Sequence, residues 1–266
     1  MVANFTSFTS SSKRLSFVTN SSPYFFVHIL FYSIHGPHFP CNIYNRVVYT
    51  FFFHHVCKKM ESSCTLIVAD FNDIVGCNKL RDIAHEKNCD IHVISKSSSC
   101  NDIQGVTSCR NAENKGREQH SYLSYIVENY DNLSGTLYFT PSNLAKHNRA
   151  DRVEKLFAND KAFDCGALPG PAWHESRDFE ITDWAGHELK KCSVRPYSAW
   201  LDKIGIATES SDCLNGIFKT NANLLLNRPK TFYEDILAEY ASMKEADTEC
   251  SHYLERAAHS VYGKWH

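Results

Sequence analysis

The chain has 266 residues, a formal charge of -2 and an apolar share of 43%. That size supports one large domain or two small ones around a proper core, and the near-neutral charge, with no lysine or arginine run interleaved with aromatics, gives no footprint for DNA or RNA. The 11 cysteines are scattered singly, with no C-x-x-C pair and no Cys/His cluster at zinc spacing, so most of them read as small buried hydrophobes in a reducing compartment rather than as a disulfide scaffold.

Residues 1–59 differ in texture from the rest. A Ser/Thr/Asn-rich stretch leads into YFFVHILFYSI (24–34) and VVYTFFFHHV (47–56), with His35, Gly36, Pro37, His38 and Pro40 between them. Neither run reaches the roughly 20 apolar residues that a membrane-spanning helix needs, so no confident membrane span is expected. Lys13 and Arg14 ahead of the first run resemble the charged and apolar regions of a signal peptide, without a matching small-residue cleavage site. Three readings compete: a signal or anchoring segment, a poorly ordered extension, and sequence upstream of the true start. Met60, directly before ESSCTLIVAD (61–70), favours the last. A start at Met60 favours the cytoplasm, and a chain that keeps residues 1–59 leaves the secretory pathway open.

From residue 61 the pattern is that of a folded domain running to 266. CTLIVA (64–69) is a β-branched apolar run of the kind that forms a strand buried in a parallel sheet. Residues 73–85 read as a helix with Ile74, Leu80, Ile83 and Ala84 inward, and DIHVIS (90–95) as the next strand. Strand, helix, strand argues for an α/β layer with a right-handed crossover. Residues 96–116 read as a long polar loop, and loops at the ends of parallel strands are where ligands bind.

A second round follows. From Glu118 a helix places Tyr122, Leu123, Ile126, Val127 and Tyr130 on one stripe, TLYFT (136–140) is a strand stopped by Pro141, and 151–157 is a helix. Residues 163–216 are less periodic, and Gly166, Pro169, Gly170 and Pro171 make a turn-rich segment whose Trp173, Trp184 and His174 cover the sheet or line a pocket. Pro229 suits a first helical turn, followed by a stripe of Phe232, Tyr233, Ile236, Leu237, Tyr240 and Met243. A last helix over 251–262 buries Leu254, Ala257, Ala258 and Val261 and turns His252, Glu255, Arg256 and His259 the other way.

VADFND (68–73), HVISK (92–96), NKGRE (114–118), YLSYIVENYDNL (122–133) and the strand YFT (138–140) together resemble an uncharacterised family of fungi, algae and large viruses that is organised like the GT-A glycosyltransferases. The likeness covers about 64–140, is weaker in SHYLERAAHSVYG (251–263) and is absent from 1–59. It implies a GT-A-like (Rossmann-like) three-layer α/β domain with a mostly parallel sheet. It also implies transfer of a sugar from a nucleotide-sugar donor to a hydroxyl of a glycan or protein. One departure concerns the metal: GT-A enzymes mostly bring a divalent cation to the donor diphosphate with D-x-D, and this chain has no D-x-D.

Candidate residues follow from position. Asp70 and Asn72, just past the first strand, stand where a nucleoside lies in a doubly wound sheet, or else one of them caps the next helix. Asn114, Gly116, Arg117 and Glu118 form a charged corner at a helix start. There Arg117 can grip a diphosphate bidentately, or else it pairs with Glu113 or Glu118 while Gly116 supplies an unusual backbone angle. Glu118 fits the helix dipole by itself. An inverting transferase also needs a base, for which Asp164, Glu175 and Glu255 are the available carboxylates. His252 and His259, seven apart, make half a metal site at best. G-x-S-x-G, the P-loop, H-E-x-x-H and G-x-G-x-x-G are all missing, which removes the sharp signals for serine hydrolases, P-loop NTPases, zincins and dinucleotide enzymes. The alternative function is a non-catalytic nucleotide- or carbohydrate-binding module on the same fold.

Overall fold

A computed structural model describes residues 64–97, 99–146, 149–166, 189–206, 213–241 and 249–263. The chain divides between residues 61 and 62, and every described residue lies in the second unit. The expectations for residues 1–59, for Trp173, His174, Glu175 and Trp184, and for Met243 fall outside the described residues.

The first strand, β1 (Cys64–Asp70), has an unbroken apolar sequence because both of its faces are covered. Leu66 and Val68 join a core with Cys77, Leu80 and Ala84 of α1 (Ile74–Glu86), while Ile67 and Ala69 join a second core on the other face. β2 (Asp90–Ser95) then pairs with β1 in parallel, as expected of a strand, helix, strand unit. The expected loop over 96–116 is corrected in part: it holds a 3-10 turn (Ser99–Asp102) and a short strand, β3 (Ser108–Asn111). β3 is the outermost strand on its side, and its sequence SCRN has no apolar alternation to announce it.

α2 (Arg117–Asn129) and β4 (Thr136–Pro141) follow, then α3 (Arg149–Phe157) and a two-residue strand, β5 (Phe163–Asp164). α4 (Tyr197–Lys203) precedes β6 (Phe218–Asn221), α5 (Ala222–Leu226) and α6 (Lys230–Ala241). The expected final helix is two helices, α7 (Glu249–Arg256) and α8 (Ala258–Tyr262), which break at Ala257. Spatial strand order is β3-β2-β1-β4-β6-β5. β1 through β4 run parallel, but β6 is antiparallel to both β4 and β5. The sheet is therefore six-stranded and mixed: three of its five pairings are parallel, in line with the mostly parallel sheet expected, and the two made by β6 are not. β6 escaped notice because FKTN is short and carries a lysine, Lys219, which is buried and donates to the Asn159 carbonyl.

Helices lie on both faces, giving three layers. α1 and α3 cover one face. The other is packed by α2, α4, α6, α7 and α8 around a ring stack in which Phe139 lies on Phe218 and Phe218 on Tyr262, each at 4.7 Å between centroids. Stacked and edge-on rings of this kind add to the energy of apolar burial. No helix among the described residues is long and apolar enough to cross a membrane.

The cysteines require a correction. Cys64–Cys89, Cys100–Cys109, Cys165–Cys213 and Cys192–Cys250 are disulfides, and only Cys77 among the described cysteines keeps the reduced, buried state expected for most of them. Partners stand 9 to 58 residues apart, and linear spacing does not reveal which pairs the fold brings together. Disulfides persist in oxidising compartments. Alkylation of the denatured, unreduced protein should label Cys77 and leave these eight thiols unlabelled until reductant is added. Labelling of Cys64, Cys165 or Cys192 without reductant would restore the reduced reading.

Candidate functional site

From β1 the chain steps to β2 and β3 on one side, and β4 then lands on the other side of β1. Strand order thus reverses between the carboxyl ends of β1 and β4, the usual place for a ligand crevice in an open α/β sheet. Asp70 ends β1 there and is 1% exposed. Its Oδ1 accepts from the Asp73 amide at 3.0 Å and its Oδ2 from the Ser95 hydroxyl at 2.8 Å. Burial works against its ionisation, but the bonds from Asp73, Ser95, Ser142 and Cys77 hold its carboxyl below the usual range. The helix cap is Asp73, whose Oδ1 accepts from the Gly76 amide at 3.0 Å. Gly76 is needed because a Cβ there would strike the Ser142 carbonyl at the end of β4. Asn72 is exposed, holds φ +58°, and donates its amide to Ser97 Oγ. Beside it Phe71 and Val75 are 63% and 81% exposed.

The corner before α2 is built around Lys96, one residue past β2. Its ammonium donates to the carbonyls of Lys115 and Arg117. Burial pulls the pKa of Lys96 down to about 8 against the attraction of Glu118. Gly116 and Arg117 both hold positive φ, +55° and +51°, and a Cβ on Gly116 would collide with the Tyr240 ring. A left-handed angle is cheap for glycine and costly for arginine, so Arg117 is held there by its surroundings. Its side chain, 32% exposed, has Nε 3.6 Å from Glu118 Oε2 and Nη1 3.2 Å from His252 Nε2. Glu113 pairs with Lys115 at 2.5 Å instead. Within the first turn of α2, His120 Nδ1 is buried with no hydrogen-bond partner among the described residues. Burial, then the charges of Lys96, Arg110 and Lys115, push its pKa down to about 4.

The facing wall comes from the segment before β6 and from α7. Asn215 and Gly216 hold φ +65° and +63°. Gly216 lies against Glu118, where a Cβ would stand only 2.5 Å from Cγ, and its carbonyl accepts from the Tyr122 hydroxyl at 2.9 Å. The Asn215 amide donates to Glu255 Oε1, and Glu255 Oε2 is 3.6 Å from His252 Nδ1. Glu255 is buried, which opposes its charge, yet His252, Arg117 and Arg256 keep its carboxyl below the usual range. Arg152 feels both Glu255 and the repulsion of Arg149. Arg149 is 8% exposed and donates Nη1 to the Asn143 carbonyl at 3.1 Å, while its Nε has no hydrogen-bond partner among the described residues. Arg152 donates Nε to the Gly166 carbonyl at 2.7 Å.

The expected residues are therefore placed as follows. Gly116, Arg117 and Glu118 come together with Glu255 through His252, whereas Asn114 is exposed at the start of the corner. Asp70 and Asn72 sit at the carboxyl end of β1, and Asp164 at that of β5, with Asn159 Nδ2 at 2.9 Å from its Oδ2. Glu175 lies outside the described residues. His259 packs edge-on to Phe163 at 4.9 Å, apart from His252 in role. The sequence reading missed Lys96, His120, Arg149, Arg152 and Asn215. For Lys96 the signal was present, since it is a lysine directly after a buried strand at the carboxyl edge. Two shallow cavities of about 190 and 210 Å³ share His92, Tyr125 and Asn129; the first lies at the amino ends of β1, β2 and β4, and the second runs along β2 and β3 past Ile94 and Arg110.

Residues 85–164 match a family described as a protein of unknown function (DUF3431). The matched span runs from the end of α1 to the end of β5, so it holds Lys96, the corner, Arg149 and Arg152, and stops short of Asp70 on one side and α7 on the other. Comparison with curated proteins found no match, and comparison with solved structures found none.

Replacing the Lys96 ammonium with a methyl, Lys96→Met, strands two carbonyls, and a stranded buried polar group costs about 1–3 kcal/mol. Chemical denaturation should show a loss of that order, and an unchanged midpoint would remove the ammonium from the corner's support. His120 accepts a proton near pH 4 in the fold but near 6.5 when unfolded. The unfolded chain therefore protonates first, so stability present above pH about 6.5 is lost as pH falls toward 4. Unfolding free energies across that window should fall less steeply in His120→Asn, and equal slopes would contradict the assignment.

Proposed function

We propose that the domain is a glycosyltransferase of GT-A organisation that moves a sugar from a nucleotide-sugar to a hydroxyl of a glycan or protein. The observation that carries this reading is the charged corner at the carboxyl edge. A partly exposed Arg117 is forced into a left-handed conformation at the start of a 13-residue helix, next to the strand-order reversal. Residues with strained backbone angles cluster at working sites, and a helix start with a planar guanidinium suits a diphosphate.

Within that reading Asn114 to Arg117 hold the diphosphate. The nucleoside lies over the β1 end, where Asn72 faces outward and the exposed Phe71 offers a ring on which a base can stack. Asp70 fixes this end from beneath, because both of its oxygens are engaged by the fold. Of the three carboxylates considered as base, Glu255 is buried and engaged by Asn215 and His252, so its part is to position. Asp164, half-buried at the carboxyl end of β5, takes the part of base in this reading, with its Oδ2 accepting from Asn159 and its Oδ1 from the Gly166 amide. The paired cysteines favour the secretory pathway over the cytoplasm. The second reading, a non-catalytic nucleotide- or carbohydrate-binding module, draws on the engagement of Asp70 and Glu255 within the fold.

Thermal unfolding of the full chain against UDP-, GDP-, CMP- and dTDP-sugars tests donor binding. A donor at 100 times its dissociation constant adds about 2.7 kcal/mol and raises the midpoint by several degrees. One nucleotide class should produce the shift, slow hydrolysis of that donor should accompany it, and Phe71→Ala should weaken it. Binding without turnover, with acceptors supplied, selects the binding module. No shift with any donor removes the transferase reading and the nucleotide-binding form of the module, and leaves a carbohydrate-binding or structural role.

A further inference from the structure

We propose that the corner takes the pyrophosphate group of its ligand directly on lysine and arginine side chains, with no divalent cation between them; this rests on the donor-binding reading above. Cations crowd this edge. Lys96 and Arg117 form the corner itself, while Arg149, Arg152 and Arg256 lie within electrostatic reach of Glu255 or of one another. The carboxylates among them are already committed. Glu118 lies against Gly216 and beside Arg117, and Glu255 takes the Asn215 amide and faces His252.

Two further observations point to an anion. Arg149 is buried, yet its Nε has no hydrogen-bond partner among the described residues, and a buried guanidinium left so is costly unless something negative approaches. Beside these cations His120 Nδ1 is likewise buried with no hydrogen-bond partner among the described residues, and its imidazole is kept neutral first by burial and then by Lys96, Arg110 and Lys115. Among the described residues, a divalent cation entering this positive region would meet Glu118 and Glu255 already engaged. Among the described residues, the group whose ligand atoms lie close enough to hold a metal is Cys192, Glu239 and Cys250. Its two sulfurs are joined in a disulfide, and Glu239 already accepts from Ser193, Trp200 and Lys203. An arginine fork, by contrast, meets two phosphate oxygens at once and needs no metal to bridge them.

The test is calorimetric titration of the full chain with inorganic pyrophosphate in EDTA, repeated with Mn²⁺, with inorganic sulfate as the control anion. Saturable binding in EDTA is expected, as is competition with whichever nucleotide-sugar shifts the unfolding midpoint. Arg117→Gln, at a partly exposed side chain, should weaken pyrophosphate about tenfold or more. The wild-type comparison with and without Mn²⁺ stands without any variant should Arg117→Gln fail to fold. Pyrophosphate binding that appears only with Mn²⁺ overturns the proposal and leaves the donor-binding reading intact. A nucleotide-sugar that binds in EDTA without being displaced by pyrophosphate overturns it as well. Failure of both ligands to bind under either condition overturns the donor-binding reading with it.

Discussion

The ammonium of Lys96 bridging the carbonyls of Lys115 and Arg117 is the contact on which the carboxyl edge depends. Those carbonyls belong to a corner whose two central residues are both left-handed, so the backbone there lacks the repeating bonds that would hold it. A lysine is suited to the task because its long stem can cross from the end of β2, and its three donors can serve several acceptors. Burial makes the charge expensive, as the fall of its pKa to about 8 shows. The same burial strengthens each bond the ammonium makes. Gly116 sits beneath Tyr240, so the corner is gripped by α6 on one side and by β2 on the other.

α7 reaches this corner because it is tied down at its start. Arg195 meets Glu249 with two bonds, at 2.6 and 3.1 Å, and the Cys192 amide adds a third contact to the same carboxylate at 3.0 Å. The neighbouring Cys192–Cys250 disulfide closes the same joint covalently. Three and six residues further along, the helix presents His252 to Arg117 and Glu255 to Asn215. Precision at the far end of a short helix follows from rigidity at the near end, and here that rigidity is supplied by a bidentate ion pair and a covalent bond.

The sequence was legible where burial is two-sided and where helices carry a stripe. β1, α1, β2, α2 and β4 all stand close to where the apolar pattern put them, because their periodicity is imposed by the cores they fill. β3 and β6 were not legible. Each has four residues, one is an outer strand of SCRN and the other carries a lysine whose charge is satisfied by a carbonyl that only the fold brings near. The cysteine pairs were hidden for the same reason: Cys64 and Cys89 stand 25 residues apart yet meet where β1 and β2 begin. In the candidate site, local signals marked Gly116, Arg117 and Glu118 as adjacent. Nothing local could show that Glu255 would be buried among arginines rather than exposed as a base.

That last difference bears on how charge is used here. A helix face bearing His252, Glu255 and Arg256 reads as a solvated surface by spacing alone, yet Glu255 and Arg256 are 7% and 5% exposed. Charges buried together are costly unless each finds partners, and one carboxylate shared among several arginines leaves a local excess of positive charge. Natural folds tolerate such an excess chiefly where a ligand completes the balance, since it otherwise costs stability with no compensating gain. The arginines around Glu255 hold backbone carbonyls at Asn143, Gly166 and His252, so they brace the carboxyl edge and charge it at once. A substitution that neutralised any of them would therefore disturb the frame together with the field, whereas the side chain of Arg117 still reaches solvent, so its charge can be changed with less disturbance to the strands behind it.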